Sequence, residues 1–156
     1  MLKVKEGKVL MVLKKKDYRY FDFAKQEAEK ANYKNISVGC VLVYKNHIIG
    51  SGHNSTKTCP QQKVANRKRH FNKTGKKPIS HSMHAEIAAL RTVPYTVDKT
   101  INWREVKVYI YRISPGQSLR IGLARSCPGC MSELKKKGVQ HFFYTTSDGF
   151  AYERIL

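Results

Sequence analysis

Acidic residues are scarce in this chain of 156 residues, where 11 Asp and Glu stand against 30 Lys and Arg and the formal net charge is +19. No acidic residue occurs between Glu29 and Glu86. A field of this sign attracts anions such as nucleotides, nucleic acid or anionic membrane surfaces. A solvated lysine-rich surface would give the same balance. The charge is therefore consistent with an anionic partner, but it does not by itself indicate a reaction.

Long apolar runs are also missing. No run approaches the ~18 residues that span a bilayer, and the N-terminal "MLKVKEGKVLMVLKKK" interrupts its apolar residues with lysines too often for a signal peptide.

There are only four cysteines. Two of them lie three residues apart, which suits a reducing compartment where such pairs bind metal more often than they form disulfides. We therefore expect an intracellular, cytoplasmic protein with no membrane partner.

Internal repeats and low-complexity segments are absent too, and 41% of the residues are hydrophobic, which is a globular composition. We expect one domain over residues 1–156, large enough to bury about two thirds of its unfolded surface.

Apolar spacing and turn residues predict alternating helices and strands. Helices are predicted over 18–32, 83–93 and 127–138, the last with Pro128 at its first position and Gly138 as its C-cap. Strands are predicted over 37–45, 47–54, 106–113, 140–146 and 149–156, with a weaker signal over 8–13. Residues 55–82 lack periodicity and carry a basic cluster, so they are predicted to be a long inserted loop. This order predicts a three-layer α/β domain whose central mixed sheet of about five strands is flanked by helices.

Two helix starts carry the residues of a metal site. Cys127 and Cys130 are one helical turn apart at a predicted N-terminus, where backbone N–H groups favour thiolates. His84 begins the preceding predicted helix and supplies a third ligand if the two N-termini converge. Three such ligands leave the fourth position of a tetrahedral Zn²⁺ open to water. Glu86 could exchange a proton with that water, so the pattern predicts a hydrolytic zinc site.

The motif "HAE" at 84–86, followed by "CPGC" at 127–130, resembles the zinc-dependent cytidine/deoxycytidylate deaminase superfamily. Small deaminase-like proteins of large DNA viruses and phages look most similar. The resemblance covers about 18–146, because "VGCVLV" and "IIGSGHN" also look like the paired strands of that family. It implies a cytidine-deaminase-like fold.

The resemblance also implies roles for individual residues. The Zn²⁺ ligands map onto His84, Cys127 and Cys130, and the catalytic acid and base maps onto Glu86. Contacts with the substrate are expected from Asn54, Ala85 and Ser126. The family usually has a proline where this sequence has Ser126, which leaves the entry to the helix less restricted in φ.

The implied activity is that of a hydrolase acting on an amidine C–N bond, which converts a cytosine base to uracil in deoxycytidylate or in single-stranded nucleic acid. "HAEIAALR" also looks like the transfer-RNA adenosine deaminases, which are the alternative enzyme. An inactive zinc-stabilised nucleic-acid-binding module is the alternative of another class. A closed structural zinc site would need a fourth ligand such as Cys40, Cys59 or His81. The sequence leaves a homo-oligomer open.

Overall fold

The computed structural model describes residues 3–5, 8–10, 13–31, 36–57, 59–69, 82–114, 120–121 and 124–155. Its strands are β1 (Lys3–Lys5), β2 (Lys8–Leu10), β3 (Ser37–Tyr44), β4 (His47–His53), β5 (Lys107–Ser114), β6 (Arg120–Ile121), β7 (His141–Thr146) and β8 (Gly149–Arg154). Its helices are α1 (Lys15–Glu29), α2 (Pro60–Arg69), α3 (Ala85–Thr92), α4 (Tyr95–Thr100) and α5 (Pro128–Lys137), with a 3₁₀ turn over Trp103–Glu105.

The strands form one mixed sheet in the order β1-β2-β8-β7-β5-β3-β4, and β6 pairs with β5. β5 and β7 run parallel, whereas their other neighbours pair antiparallel. The five longer strands are consecutive in this order, from β8 to β4, and confirm the predicted mixed sheet of about five strands. The weak signal over 8–13 is confirmed for Lys8–Leu10, which forms an edge hairpin with β1 beside β8.

Helices cover both faces of this sheet and give the predicted three layers. On one face, Phe21 and Ala24 of α1 pack with Val41 of β3 and Tyr109 of β5. On the other face, α3 and α5 bury a larger cluster, listed in part as Leu42, Ile87, Val108, Leu134 and Phe142. α3 lies directly on β4, since a Cβ at Gly52 would come within 2.5 Å of the Ala89 nitrogen. In the ranges described, no helix has the length and apolar character needed to cross a membrane.

The prediction of a loop over 55–82 is wrong for its first part, where α2 occupies Pro60–Arg69. Over 60–65, where its side chains are described, the buried residues of this helix are small or polar, namely Gln62 and Ala65, with Cys59 just before it. The sequence of α2 shows no helical periodicity because no large apolar residue lies on the buried face of the helix. Residues 70–81, including His81, lie outside the described residues.

Two helix boundaries also differ from the prediction. α1 begins at Lys15 rather than 18, because the Asp17 carboxylate accepts a hydrogen bond from the Lys14 backbone N–H at 3.1 Å and so caps an earlier turn. After α3, Pro94 stops one helix and is the N-cap of the next, the short α4. The third predicted helix is confirmed, with Pro128 in its first turn and Gly138 as a left-handed C-cap.

Candidate active site

The N-termini of α3 and α5 converge and bring three predicted ligands together. His84 is the N-cap of α3 and Cys127 is the N-cap of α5, both with extended backbone. The His84 side chain makes no capping hydrogen bond. Its ring faces the two cysteines instead. His84 Nδ1 lies 3.6 Å from Cys127 Sγ and 3.3 Å from Cys130 Sγ.

This donor set fits zinc in both type and spacing. Zn–S bonds of about 2.3 Å and Zn–N bonds of about 2.0 Å at a tetrahedral angle place N and S about 3.5 Å apart. One donor atom from each of His84, Cys127 and Cys130 lies within 4.8 Å of the others. Within the described residues, this is the one group of three or more His, Cys, Asp or Glu side chains so placed. Cys40 and Cys59 do not join it, so they do not provide a fourth ligand that would close the site.

The two thiols differ in proton affinity. A hydrogen bond from Cys130 is the main reason that the pKa of Cys127 falls to about 4, against the opposing effect of burial, and His84 contributes in the same direction. The hydrogen bond to Cys127 and then burial raise the pKa of Cys130 far above its ordinary range. The hydrogen bond between the two thiols therefore favours the thiolate form of Cys127, which a metal ligand requires, and Cys130 would release its proton on metal binding.

Glu86 lies in the first turn of α3 with only 5% of its surface exposed. Burial is the main cause that raises the pKa of its carboxyl group above 4.5, with Cys127 adding to the shift. His84, the backbone N–H of Glu86 and the Ser126 hydroxyl act in the opposite direction and only reduce the rise. A carboxyl group with a raised pKa beside a metal-type donor set binds a proton more readily than an exposed glutamate does, and it is therefore suited to exchanging protons.

A family model described as the cytidine and deoxycytidylate deaminase zinc-binding region matches residues 14–146. The chain belongs to this family. A dCMP deaminase from the cyanophage S-TIM5, solved in apo form, shares the fold with a TM-score of 0.56 at 17% identity over 86% of each chain. RibD from Acinetobacter baumannii, form 1, gives a TM-score of 0.46 at 20% identity, over 85% of this chain and 28% of that chain. Among curated protein sequences, none matches significantly.

The segment that enters α5 carries Ser126 where the deaminase family usually has proline. Ser126 is buried at 3% exposure, and its hydroxyl group makes no hydrogen bond of good geometry although it lies close enough to Glu86 to lower the pKa of that carboxyl group. The residue before it, Arg125, binds Glu153 of β8 through two N···O contacts of 2.9 Å. Tyr144 of β7 also donates to Glu153 at 2.8 Å. These contacts tie the segment to the sheet in place of the restraint that a proline would give.

Asn54 lies beside the site, because the bridge between Ser55 and Met83 places it next to the chain that leads into His84. Its side-chain amide binds the chain itself. Oδ1 accepts from the Val38 N–H at 2.9 Å, and Nδ2 donates to the Ile36 carbonyl at 2.9 Å. In this structure Asn54 fixes the start of β3, and its contact with a substrate stays a prediction. Ala85, in the first turn of α3, is buried beside Glu86.

Gln62 is a residue of the site that the sequence analysis missed. Its side chain is fully buried, and Oε1 accepts a hydrogen bond from the His84 backbone N–H at 2.8 Å. It was overlooked because it falls in the segment predicted to be a loop. The sequence did contain a signal, since "CPQQ" at 59–62 starts with the same Cys-Pro pair that opens α5 in "CPGC".

Proposed function

We propose that this chain is a zinc-dependent hydrolytic deaminase that converts a cytosine base to uracil. The observation that carries the proposal is the convergence of His84 Nδ1 and the Cys127 and Cys130 sulfurs beside the buried Glu86 carboxyl group. When bound by these three donors, Zn²⁺ supplies a Lewis acid that lowers the pKa of a water molecule from 15.7 to about 7.

Glu86 would serve as both base and acid. It accepts a proton from the attacking water and delivers it to the ring nitrogen as the oxygen bonds to the amino-bearing carbon. It then carries the second proton to the departing amino group, so that the C–N bond breaks, ammonia leaves and a carbonyl group remains. The burial that raises the pKa of Glu86 supports this double role, because it makes the protonated form easier to reach than in an exposed glutamate.

The substrate we favour is deoxycytidylate, with cytosine in single-stranded nucleic acid next. A net charge of +19 supports an anionic substrate of either kind. The phage protein that shares the fold is named a dCMP deaminase, which supports the mononucleotide.

Glu86→Gln tests the mechanism. The substitution keeps the shape of the side chain but removes proton exchange, so we expect ammonia release to fall by about 10²-fold or more while zinc content and fold persist. Glu105→Gln, at an exposed carboxylate of the 3₁₀ turn, is the control and should keep full activity. Unchanged turnover in Glu86→Gln would contradict the mechanism.

The substrate is tested by incubating zinc-loaded protein with dCMP, CMP, single-stranded DNA, RNA and transfer RNA and measuring base conversion. Conversion of dCMP in preference to the polymers is the expected result. Conversion of adenosine in transfer RNA would replace cytosine as the base. No conversion of any substrate, with zinc and nucleic acid bound, would identify an inactive binding module instead.

A further inference from the structure

Helix α2 presents a narrow buried stripe to both helices that carry the donor set. Cys59, Gln62 and Ala65 are spaced three residues apart, on one face of the helix, and are 5%, 0% and 0% exposed. Lys63 and Val64 on the other side are exposed. The Cys59 sulfur accepts from the Gln62 backbone N–H at 3.4 Å and so fixes the first turn.

The stripe contacts α3 through the side chain of Gln62. In many helices a Glu or Gln at the third helical position accepts a hydrogen bond from the backbone N–H of the N-cap residue. The third position of α3 is Ile87, which has no side-chain acceptor. Gln62 takes over this role from a different helix, since its Oε1 accepts from the His84 N–H at 2.8 Å. The His84 backbone is thereby held without using the His84 ring, which remains directed at the two cysteines.

The stripe contacts α5 one helical turn further on. A Cβ at Gly129 would lie 2.2 Å from the Ala65 carbonyl oxygen, so the backbones of α2 and α5 touch between Cys127 and Cys130. Gln62 and Ala65 are on the same face of one short helix. α2 therefore contacts both the His84 backbone and the turn that carries the two sulfurs.

We propose that Gln62 is a positioning residue of the metal site, which acts by holding the His84 backbone at the distance from Cys127 and Cys130 that tetrahedral coordination requires. This inference rests on the proposed function to the extent that the donor set binds a metal. Without the Gln62 amide, the partly buried His84 N–H loses this hydrogen bond, and we expect the N-cap to shift. The imidazole ring shifts with it.

The test compares Gln62→Met, which keeps the length of the side chain and removes the amide, with Gln61→Met. Gln61 is the neighbouring, half-buried glutamine of the same helix and provides the matched control. Each protein is titrated with Co²⁺, and both the affinity and the visible absorption bands are recorded. For Gln62→Met we expect an affinity lower by about 10- to 100-fold and weaker bands, because the tetrahedral ligand field is distorted. Gln61→Met should match the wild type.

Two results would overturn the role of Gln62: wild-type affinity and spectrum in Gln62→Met, or the same loss in Gln61→Met. If Gln62→Met fails to fold, the role of Gln62 is tested instead by amide hydrogen exchange of the metal-free wild type. The His84 amide should exchange slowly, and exchange as fast as that of exposed loop amides would refute the inference. None of these measurements depends on catalytic turnover. A wild type without deaminase activity would thus overturn the proposed function while the Co²⁺ comparison still decides the role of Gln62.

Discussion

At the scale of single residues, the Glu27 carboxylate joins α1 to β4. Its two oxygens lie 2.9 Å from Lys30 Nζ and 3.2 Å from His53 Nδ1. Burial raises the pKa of Glu27, but the contacts with Lys30 and His53 outweigh burial and hold the pKa below 4.5. The fold thus favours the charged form. The resulting stability is complete above the unfolded pKa of about 4.5 and is lost as the pH falls through the folded pKa.

Glu27→Gln is therefore expected to lower the free energy of unfolding at pH 6 by about 0.5–1 kcal/mol, because both contacts are partly exposed and screened by solvent. Near pH 3 the two proteins should have similar stability. Urea unfolding at a series of pH values measures the difference. Glu29→Gln, at an exposed position of the same helix, leaves the contact with His53 intact and is the control. A difference that grows towards low pH would contradict the expected sign.

Residue type and spacing predicted that His84, Cys127 and Cys130 would meet if the two helix N-termini converge, and the structure brings these three side chains together. Metal ligands could be recognised because few residue types serve and their spacing is restricted. Gln62 could not be recognised in this way. A buried glutamine that accepts one backbone hydrogen bond has no spacing rule, and its partner His84 is 22 residues away along the chain.

At the scale of elements, the packing of α2 against α5 depends on a residue without a side chain. Gly129 lies in the first turn of α5, and a Cβ there would meet the Ala65 carbonyl oxygen at 2.2 Å. Backbone atoms cannot rotate away as a side chain can, so α2 and α5 would have to separate. The glycine between the two cysteines thus permits the close contact between the helices.

Gly129→Ala should lower the free energy of unfolding by about 1–3 kcal/mol, although alanine is the better helix former by about 1 kcal/mol. The cost of overpacking exceeds the gain in helix propensity because the added Cβ would contact backbone atoms. Lys135→Ala, at an exposed position of α5, removes a side chain without this contact and should change stability little. Thermal unfolding of both variants gives the comparison, and a stabilised Gly129→Ala protein would show that the helices are not in contact.

At the scale of the whole molecule, the charge pattern leads to a prediction about binding. The stretch without acidic residues from 30 to 85 includes Lys57 and Lys63, both exposed. If this surface binds several phosphates, log K for a single-stranded oligonucleotide should fall with log salt at a slope of about −0.7 per phosphate contacted, for example about −3 for four contacts.

For dCMP, with one phosphate, the slope should be no steeper than about −1, and for deoxycytidine it should be near zero. Equilibrium binding at four salt concentrations measures all three ligands. A shallow slope for the oligonucleotide would mean that the positive charge is a solvated surface and not a polyanion site.

The architecture was largely predictable from the sequence, and the helices that escaped prediction share a physical cause. β3, β4, β5, β7 and β8 have apolar runs bounded by turn residues, and α5 has both of its end signals, so each was predicted within a few residues. α2 and α4 escaped prediction because, among the side chains described, those that α2 buries are small or polar and α4 buries none. Such helices are specified by tertiary contacts and by their caps rather than by periodicity.

The parallel pairing of β5 with β7 has a consequence for the order in which the protein folds. Lys107 pairs with His141, so this central pair cannot close as a hairpin and must wait for the connection through α5 to cross over. Contacts between residues so distant along the chain form slowly. Cys127 and Cys130 lie inside that crossover, whereas His84 precedes β5. We therefore expect the donor set to assemble late in folding, together with the closing of the central β5–β7 pair.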